Sequence, residues 1–290
     1  MSHYQIPHPD PFWEIRVHDL DVDPNITGLC VGYELKNWRA EEFAAHIMEW
    51  LPDFALSYSE LAGIHPGNMV RLMREAARKV YESKKFENRG EFGEVFLHAA
   101  VRTVFKSIPA ISKIYYKTSA NDTVKGFDAV HVVGPPEDME LWIGEVKFYK
   151  KIGAAIRDVL VEIDQHTKRD YLRDEFVWIK GKIDKASAHA AQLEQLLSPN
   201  KSLDSVFKRV CIPVLLTYES DCLGNHDECH DVYCSEFEEE IRKHHQTFST
   251  KLAGLNLPPN LTIRLFLLPL HTKTVLIAAL DKKLRAWQDR

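Results

Sequence analysis

Three residues in the middle of the chain are of the types that cut phosphodiesters: Asp128, Glu145 and Lys147. Two short apolar runs flank the turn Gly134-Pro135-Pro136-Glu137-Asp138, namely Phe127 to Val133 and Leu141 to Phe148, and they read as a β-hairpin. A turn centred between Pro136 and Glu137 pairs Val130 with Ile143 and Val132 with Leu141, and sets Asp128 opposite Glu145. Lys147, two residues on from Glu145, falls on the same side of its strand. Carboxylates opposed across a sheet repel each other. Phe127, Val146 and Phe148 flank them, which argues against free exposure and for a cation between them. Oxygen-only ligands favour Mg²⁺ or Mn²⁺ over zinc. An ammonium beside such a metal can orient a water and neutralise charge developing on a phosphate.

A helix must precede this hairpin. Arg89-Gly90 leads into a helical pattern from about Glu91 to Lys106, which puts Glu91 and Glu94 on one helix face. Either acid could reach the metal directly or through a water, or simply favour the helix N-terminus. Further along, Ile114 to Thr118 reads as a strand, Ile152 to Arg173 as one long helix and Ser187 to Leu197 as another. Cys211 to Tyr218 is a continuous apolar strand of the kind buried on both faces. Phe237 to Leu252 is helical, Thr262 to Leu268 and Thr274 to Ala279 read as a last strand pair, and Asp281 to Gln288 as a terminal helix. In the N-terminal third, Phe12 to Val17 is a candidate strand and Ala40 to Trp50 and Met69 to Tyr81 are helical. Strands alternating with helices predict an α/β fold with a mixed sheet flanked by helices.

An acid in a helix, Gly126-Phe127-Asp128 on one strand and Glu145-Val146-Lys147 on the next together resemble the PD-(D/E)xK restriction-endonuclease-like superfamily. The resemblance implies that fold, with Asp128 and Glu145 as metal ligands, Lys147 as the catalytic lysine and Glu94 as the auxiliary acid near the metal, Glu91 being its fallback. The residue pair before Asp128 is Gly-Phe where the superfamily motif has proline. Longer stretches, Arg89 to Glu94, Lys125 to Asp128, Gly144 to Tyr149, Ile212 to Tyr218 and Leu265 to Pro269, resemble the HamA family, nuclease subunits of the Hachiman anti-phage system. That likeness covers residues 85–290 and leaves 1–84 as an N-terminal accessory or partner-docking region. It implies a superfamily 2 helicase partner (HamB-like) that restrains and positions a DNA-cutting subunit. A non-catalytic subunit that only docks a helicase, and a ribonuclease, are the competing readings.

Composition bears on partners. The 290 residues carry 37 Lys+Arg against 42 Asp+Glu, a net charge of −5. Proteins that grip nucleic acid unaided are usually basic, so a helicase partner supplying most of the DNA affinity fits. The N-terminal residues lack a signal-peptide pattern, and Leu261 to Leu280 is too interrupted by charge and proline to span a membrane, so the expectation is a cytoplasmic protein. Five cysteines make no disulfide framework. Cys222, His226, Cys229, His230 and Cys234 crowd together at spacings unlike paired zinc knuckles, and read as an acidic surface loop or a structural zinc site. Lys113, Lys117, Lys125, Lys147, Lys150 and Lys151, interleaved with Tyr115, Tyr116 and Tyr149, could track a phosphate backbone or form a solvated face. Gln165 and Tyr171 could approach the site from the helix after Lys147, with His166 among their solvated neighbours, and His98 could approach it or merely pack.

Overall fold

The computed structural model describes residues 7–80, 90–111 and 126–288. The N-terminal third contains β1 (Glu14–Asp19), β2 (Asn25–Cys30), the short β3 (Tyr33–Glu34) and β4 (Asn37–Trp38), then α1 (Ala40–Glu49), α2 (Leu51–Ala55), α3 (Tyr58–Ala62) and α4 (Met69–Val80). The middle contains α5 (Glu91–Phe105), β5 (Ile108–Pro109), β6 (Ala129–Val133), β7 (Glu140–Phe148), α6 (Ile152–His166) and α7 (Arg169–Lys180). The chain continues through α8 (Ala190–Leu196), α9 (Leu203–Phe207), β8 (Val210–Glu219), α10 (Asp221–Asn225), α11 (Asp231–Leu252), β9 (Thr262–Leu270) and α12 (Lys273–Gln288).

Seven strands form one mixed sheet in the order β1-β2-β9-β8-β7-β6-β5. The run β2, β9, β8 and β7 is parallel, and β1, β6 and β5 join antiparallel. The sequence explains the centre. In β8, VCIPVLLTYE, every residue before Glu219 is buried, as a parallel strand covered on both faces requires. The apolar side chains divide by face. Ile143, Val214, Leu216, Leu265 and Leu267 pack with Ile156, Val159 and Ile163 of α6. Trp142, Val146, Phe148, Leu215 and Phe266 pack on the other side with Phe96, Leu97 and Val101 of α5. The result is the expected α/β architecture, with helices on both faces.

Two differences from the sequence reading have physical causes. The stretch 274–279, expected as a strand, lies inside α12, where Leu276, Leu280 and Leu284 recur at helical spacing on a buried stripe. A short apolar run fits either period, and its continuation to Leu284 decides it. The single helix expected over 152–173 is two. Thr167 Oγ1 donates to Ile163 O at 2.7 Å and Lys168 is extended, so the chain turns with no glycine or proline to announce it. The N-terminal region enters the central sheet: β2 pairs with β9 from Asn25↔Arg264 to Gly28↔Leu267. The strand expected at Ile114 to Thr118, with Lys113, Lys117, Lys125, Tyr115, Tyr116, Arg89 and Tyr81, lies outside the described residues.

A buried polar network ties α2 to this sheet. Asp53 accepts hydrogen bonds from His98 Nε2 at 2.8 Å and Arg102 Nε at 2.7 Å, both on α5. Arg102 Nη1 also donates to Ser107 O, and the Ser107 hydroxyl lies 2.9 Å from His131 Nδ1 on β6. Burial alone would raise the Asp53 carboxyl, yet the His98 hydrogen bond and the Arg102 charge and hydrogen bonds hold it down at about 2. His98 and His131 are pushed below the usual imidazole range by burial. His98 is thus a packing and hydrogen-bonding residue of the interior.

Candidate active site

The hairpin forms in the expected register, with Val130↔Ile143 and Val132↔Leu141 paired. Its ladder starts at Ala129↔Gly144, one step short of Asp128 and Glu145. Asp128 instead folds against the neighbouring backbone. Its N–H donates to Gly144 O at 2.7 Å, and its Oδ2 accepts from Val146 N–H at 2.9 Å. Gly126 prepares this turn: its φ is +144°, and a Cβ there would lie 2.9 Å from Glu175 Oε2 of α7. Only glycine takes both that backbone conformation and that closeness without strain.

Glu145 and Lys147 point from β7 toward α6, with Gly144, Val146 and Phe148 toward α5. Glu145 Oε1 bonds His166 Nδ1, and Lys147 Nζ donates to Glu162 Oε2. These two contacts obey one geometric rule. Two residues along a strand advance about 6.6 Å, and four along a helix about 6 Å. A helix running back over the strand therefore meets residues two apart with residues four apart. Val159 and Ile163 bury the same flank of α6 and fix its rotation. The His166 ring stacks on Tyr171 at 4.2 Å between centroids, and Phe127 packs edge-on to it at 5.2 Å.

The electrostatics follow from this crowding. Glu145 is 1 % exposed. Burial would lower the Lys147 pKa, but the Glu162 hydrogen bond and the charges of Glu162, Asp128 and Glu145 raise it, so the amine is an ammonium. Tyr171 is pushed up by burial and by the charges of Glu175, Glu145, Asp128 and Glu162. The charges of Asp128, Glu145 and Glu162 thus act on both Lys147 and Tyr171, and that of Glu175 on Tyr171. Carboxylate oxygens are the donors a hard divalent cation takes. Asp128 and Glu145 are the residues that could hold one, and Glu162 acts on the same lysine.

Glu91 and Glu94 occupy the first turn of α5 and are half-buried. This helix covers the opposite face of β7. A Cβ on Gly93 would come 2.9 Å from Val146 Cγ2, and one on Gly144 2.6 Å from Leu97 Cδ2. Glu94 lies one turn before His98 on the same flank, and His98 lines a small cavity together with Phe127 and Asp128. Glu145 and Lys147 are met from α6, on the other side of the strand.

The sequence model of the HamA family matches residues 8–284. The chain belongs to the HamA family. It is also 25% identical over 260 residues to anti-bacteriophage protein A of Escherichia coli strain K12. That match covers 87% of this chain and 46% of the relative, so the chain spans less than half the length of the curated relative it matches.

Within this HamA-family chain two site neighbours escaped the sequence reading. His166 read as part of a solvated helix face and is instead bonded to Glu145, while Gln165 beside it is exposed. Glu162 gave no motif at all. The signal was there in the spacing: strand positions 145 and 147 call for helix positions four apart, which 162 and 166 satisfy. Of the lysines, Lys150 and Lys151 are exposed at the end of β7. Lys150 Nζ lies 2.9 Å from Thr274 Oγ1 and 3.7 Å from Glu219. Lys273 joins them, donating to Phe148 O and lying 4.4 Å from the Phe148 ring centre. Burial and the Lys150 charge lower its pKa. Among the described residues, no helix is long and apolar enough to cross a membrane.

Proposed function

We propose that this protein is a metal-dependent deoxyribonuclease of an anti-phage defence complex, held and positioned by a superfamily 2 helicase partner. The observation that carries the reading is the grouping of Asp128, Glu145 and Lys147 at the end of the hairpin, where Asp128 Oδ2 accepts from Val146 N–H and the charges of Asp128 and Glu145 act on Lys147. Membership of the HamA family and the likeness to an anti-bacteriophage protein support the defence role. The net charge of −5 supports a division of labour in which the partner provides most of the hold on DNA.

Asp128 and Glu145, with Glu94 from α5 or Glu91 as its fallback, would hold Mg²⁺ or Mn²⁺. When bound, the ion lowers the pKa of a coordinated water and polarises a phosphoryl oxygen. His166 fixes the Glu145 carboxylate through Oε1, so the acid keeps one orientation in the absence of substrate. Lys147, an ammonium, exchanges its Glu162 partner for the scissile phosphate and the attacking water. Water attacks phosphorus in line, the bond to the departing sugar oxygen breaks, and that oxygen takes up a proton.

Plasmid incubated with the protein and its helicase partner, in Mg²⁺ and again in EDTA, tests the reading. Metal-dependent nicking is expected, with Glu145→Gln and Lys147→Ala abolishing it while the complex still assembles. Cleavage near the wild-type rate in either variant overturns the residue roles. No metal-dependent cleavage in any condition makes the chain a docking subunit, and preference for a parallel RNA substrate makes it a ribonuclease.

A further inference from the structure

The residues between β8 and α11 carry a second constellation, separate from the acids of the hairpin. Cys222 on α10, His226 just after it and Glu236 on α11 place a sulfur, an imidazole nitrogen and a carboxylate oxygen within 4.8 Å of one another. We propose that these three side chains form a zinc site, completed by a water, that staples α10 to the start of α11. The donor types select the metal. Thiolate with imidazole suits zinc, and a carboxylate is an accepted third ligand.

The geometry is close to what the ion needs. His226 Nε2 lies 2.8 Å from Glu236 Oε2, held by a hydrogen bond. Nitrogen and oxygen ligands on a tetrahedral zinc sit about 3.4 Å apart, given bonds near 2.1 Å. A movement of about half an ångström opens the pair to admit the ion. The Cys222 thiol is buried and directed at Tyr233 O, 3.8 Å away. The backbone N–H of Cys222 donates to Glu240 Oε2 at 3.2 Å, which anchors the turn that presents the sulfur. Around the thiol the chain is acidic, and burial with the charges of Glu240 and Glu236 pushes Cys222 up to about 12. A cation there relieves the carboxylates and displaces the thiol proton, so binding releases a proton to solvent.

Packing keeps two of the three ligands in place without metal. The His226 ring stands edge-on to Tyr233 at 5.6 Å and to His230 at 5.0 Å. His230 Nδ1 accepts from Tyr233 N–H and caps α11, so this histidine serves the helix. The crowded cysteines and histidines of the loop thereby divide: Cys222 and His226 ligate, and Glu236, a residue the Cys/His pattern does not point to, completes the set.

The full chain, stripped with EDTA and dialysed, would be titrated with Zn²⁺ against a chromophoric chelator and separately with Co²⁺. One equivalent should bind, with Co²⁺ giving a thiolate charge-transfer band and tetrahedral d–d bands. Cys222→Ser should lose the thiolate band, and His226→Gln and Glu236→Gln should each weaken Zn²⁺ at least about tenfold. Glu236 is half-exposed, so that variant keeps the test sound if Cys222→Ser does not fold. Binding weaker than the chelator can detect, or binding equal in wild type and Glu236→Gln, overturns the site.

Discussion

Replacing Asp53 by Asn tests the bond between the N-terminal helices and the sheet. The side chain keeps its shape and loses its charge, leaving the Arg102 guanidinium buried beside a neutral amide. Removing one partner of a buried ion pair costs about 3–5 kcal/mol. For a chain of this size that is a fall in Tm of roughly 6–20 °C, and a large part of a total stability of about 5–15 kcal/mol. Acid gives an independent measure. The carboxyl titrates at 3.8 ordinarily and at about 2 in the folded protein. Above both values both states are ionised and the stabilisation is complete. As pH falls through this window the unfolded chain takes the proton first, so about 2 kcal/mol is lost between roughly pH 4 and 2. Urea unfolding followed by tryptophan fluorescence at pH 7 and at graded acid pH reads both quantities. A variant within about 1 kcal/mol of wild type at pH 7, or one that keeps the wild-type acid slope between pH 4 and 2, refutes the account of this network.

Burial lowers the pKa of His46, His98, His131 and His244 from 6.5, so unfolding takes up protons below that value. Stability should fall as pH drops from about 6.5, before the Asp53 window opens; proton uptake measured calorimetrically in several buffers checks this. Glu162→Gln removes the negative charge that helps raise Lys147, so the alkaline limb of the cleavage pH profile should move to lower pH, and an unmoved limb would separate the two residues. His166→Ala removes the hydrogen bond from His166 to the Glu145 carboxylate and should lower cleavage at least about tenfold while far-ultraviolet circular dichroism stays unchanged. Gly126→Ala forces a Cβ onto Glu175 at positive φ and should cost about 1–3 kcal/mol in chemical denaturation, with reduced cleavage.

What could be read in the sequence was local. The hairpin register followed from the alternation of Val130, Val132, Leu141 and Ile143 about a proline-rich turn, and β8 from its unbroken apolar run. These signals lie within a few residues of one another. The pairs Glu145–His166 and Lys147–Glu162 depend on how α6 lies on β7, which the sequence states only as a spacing. Asp53 and Arg102 meet because α2 docks on α5, and nothing near either residue announces the other. The break between α6 and α7 carries no glycine or proline, and 274–279 had too few residues to choose a period. Asp128 slipped its ladder because its carboxylate found the Val146 amide, a competition that strand patterns do not encode.

The insertion of β2 beside β9 has a consequence for anyone trimming this protein. Cutting before residue 85 would bare a long parallel edge to other chains and take away the carboxylate that neutralises Arg102. The shortened chain is expected to aggregate before it can be assayed, so the N-terminal third is best probed by point changes on its outer surface rather than by deletion.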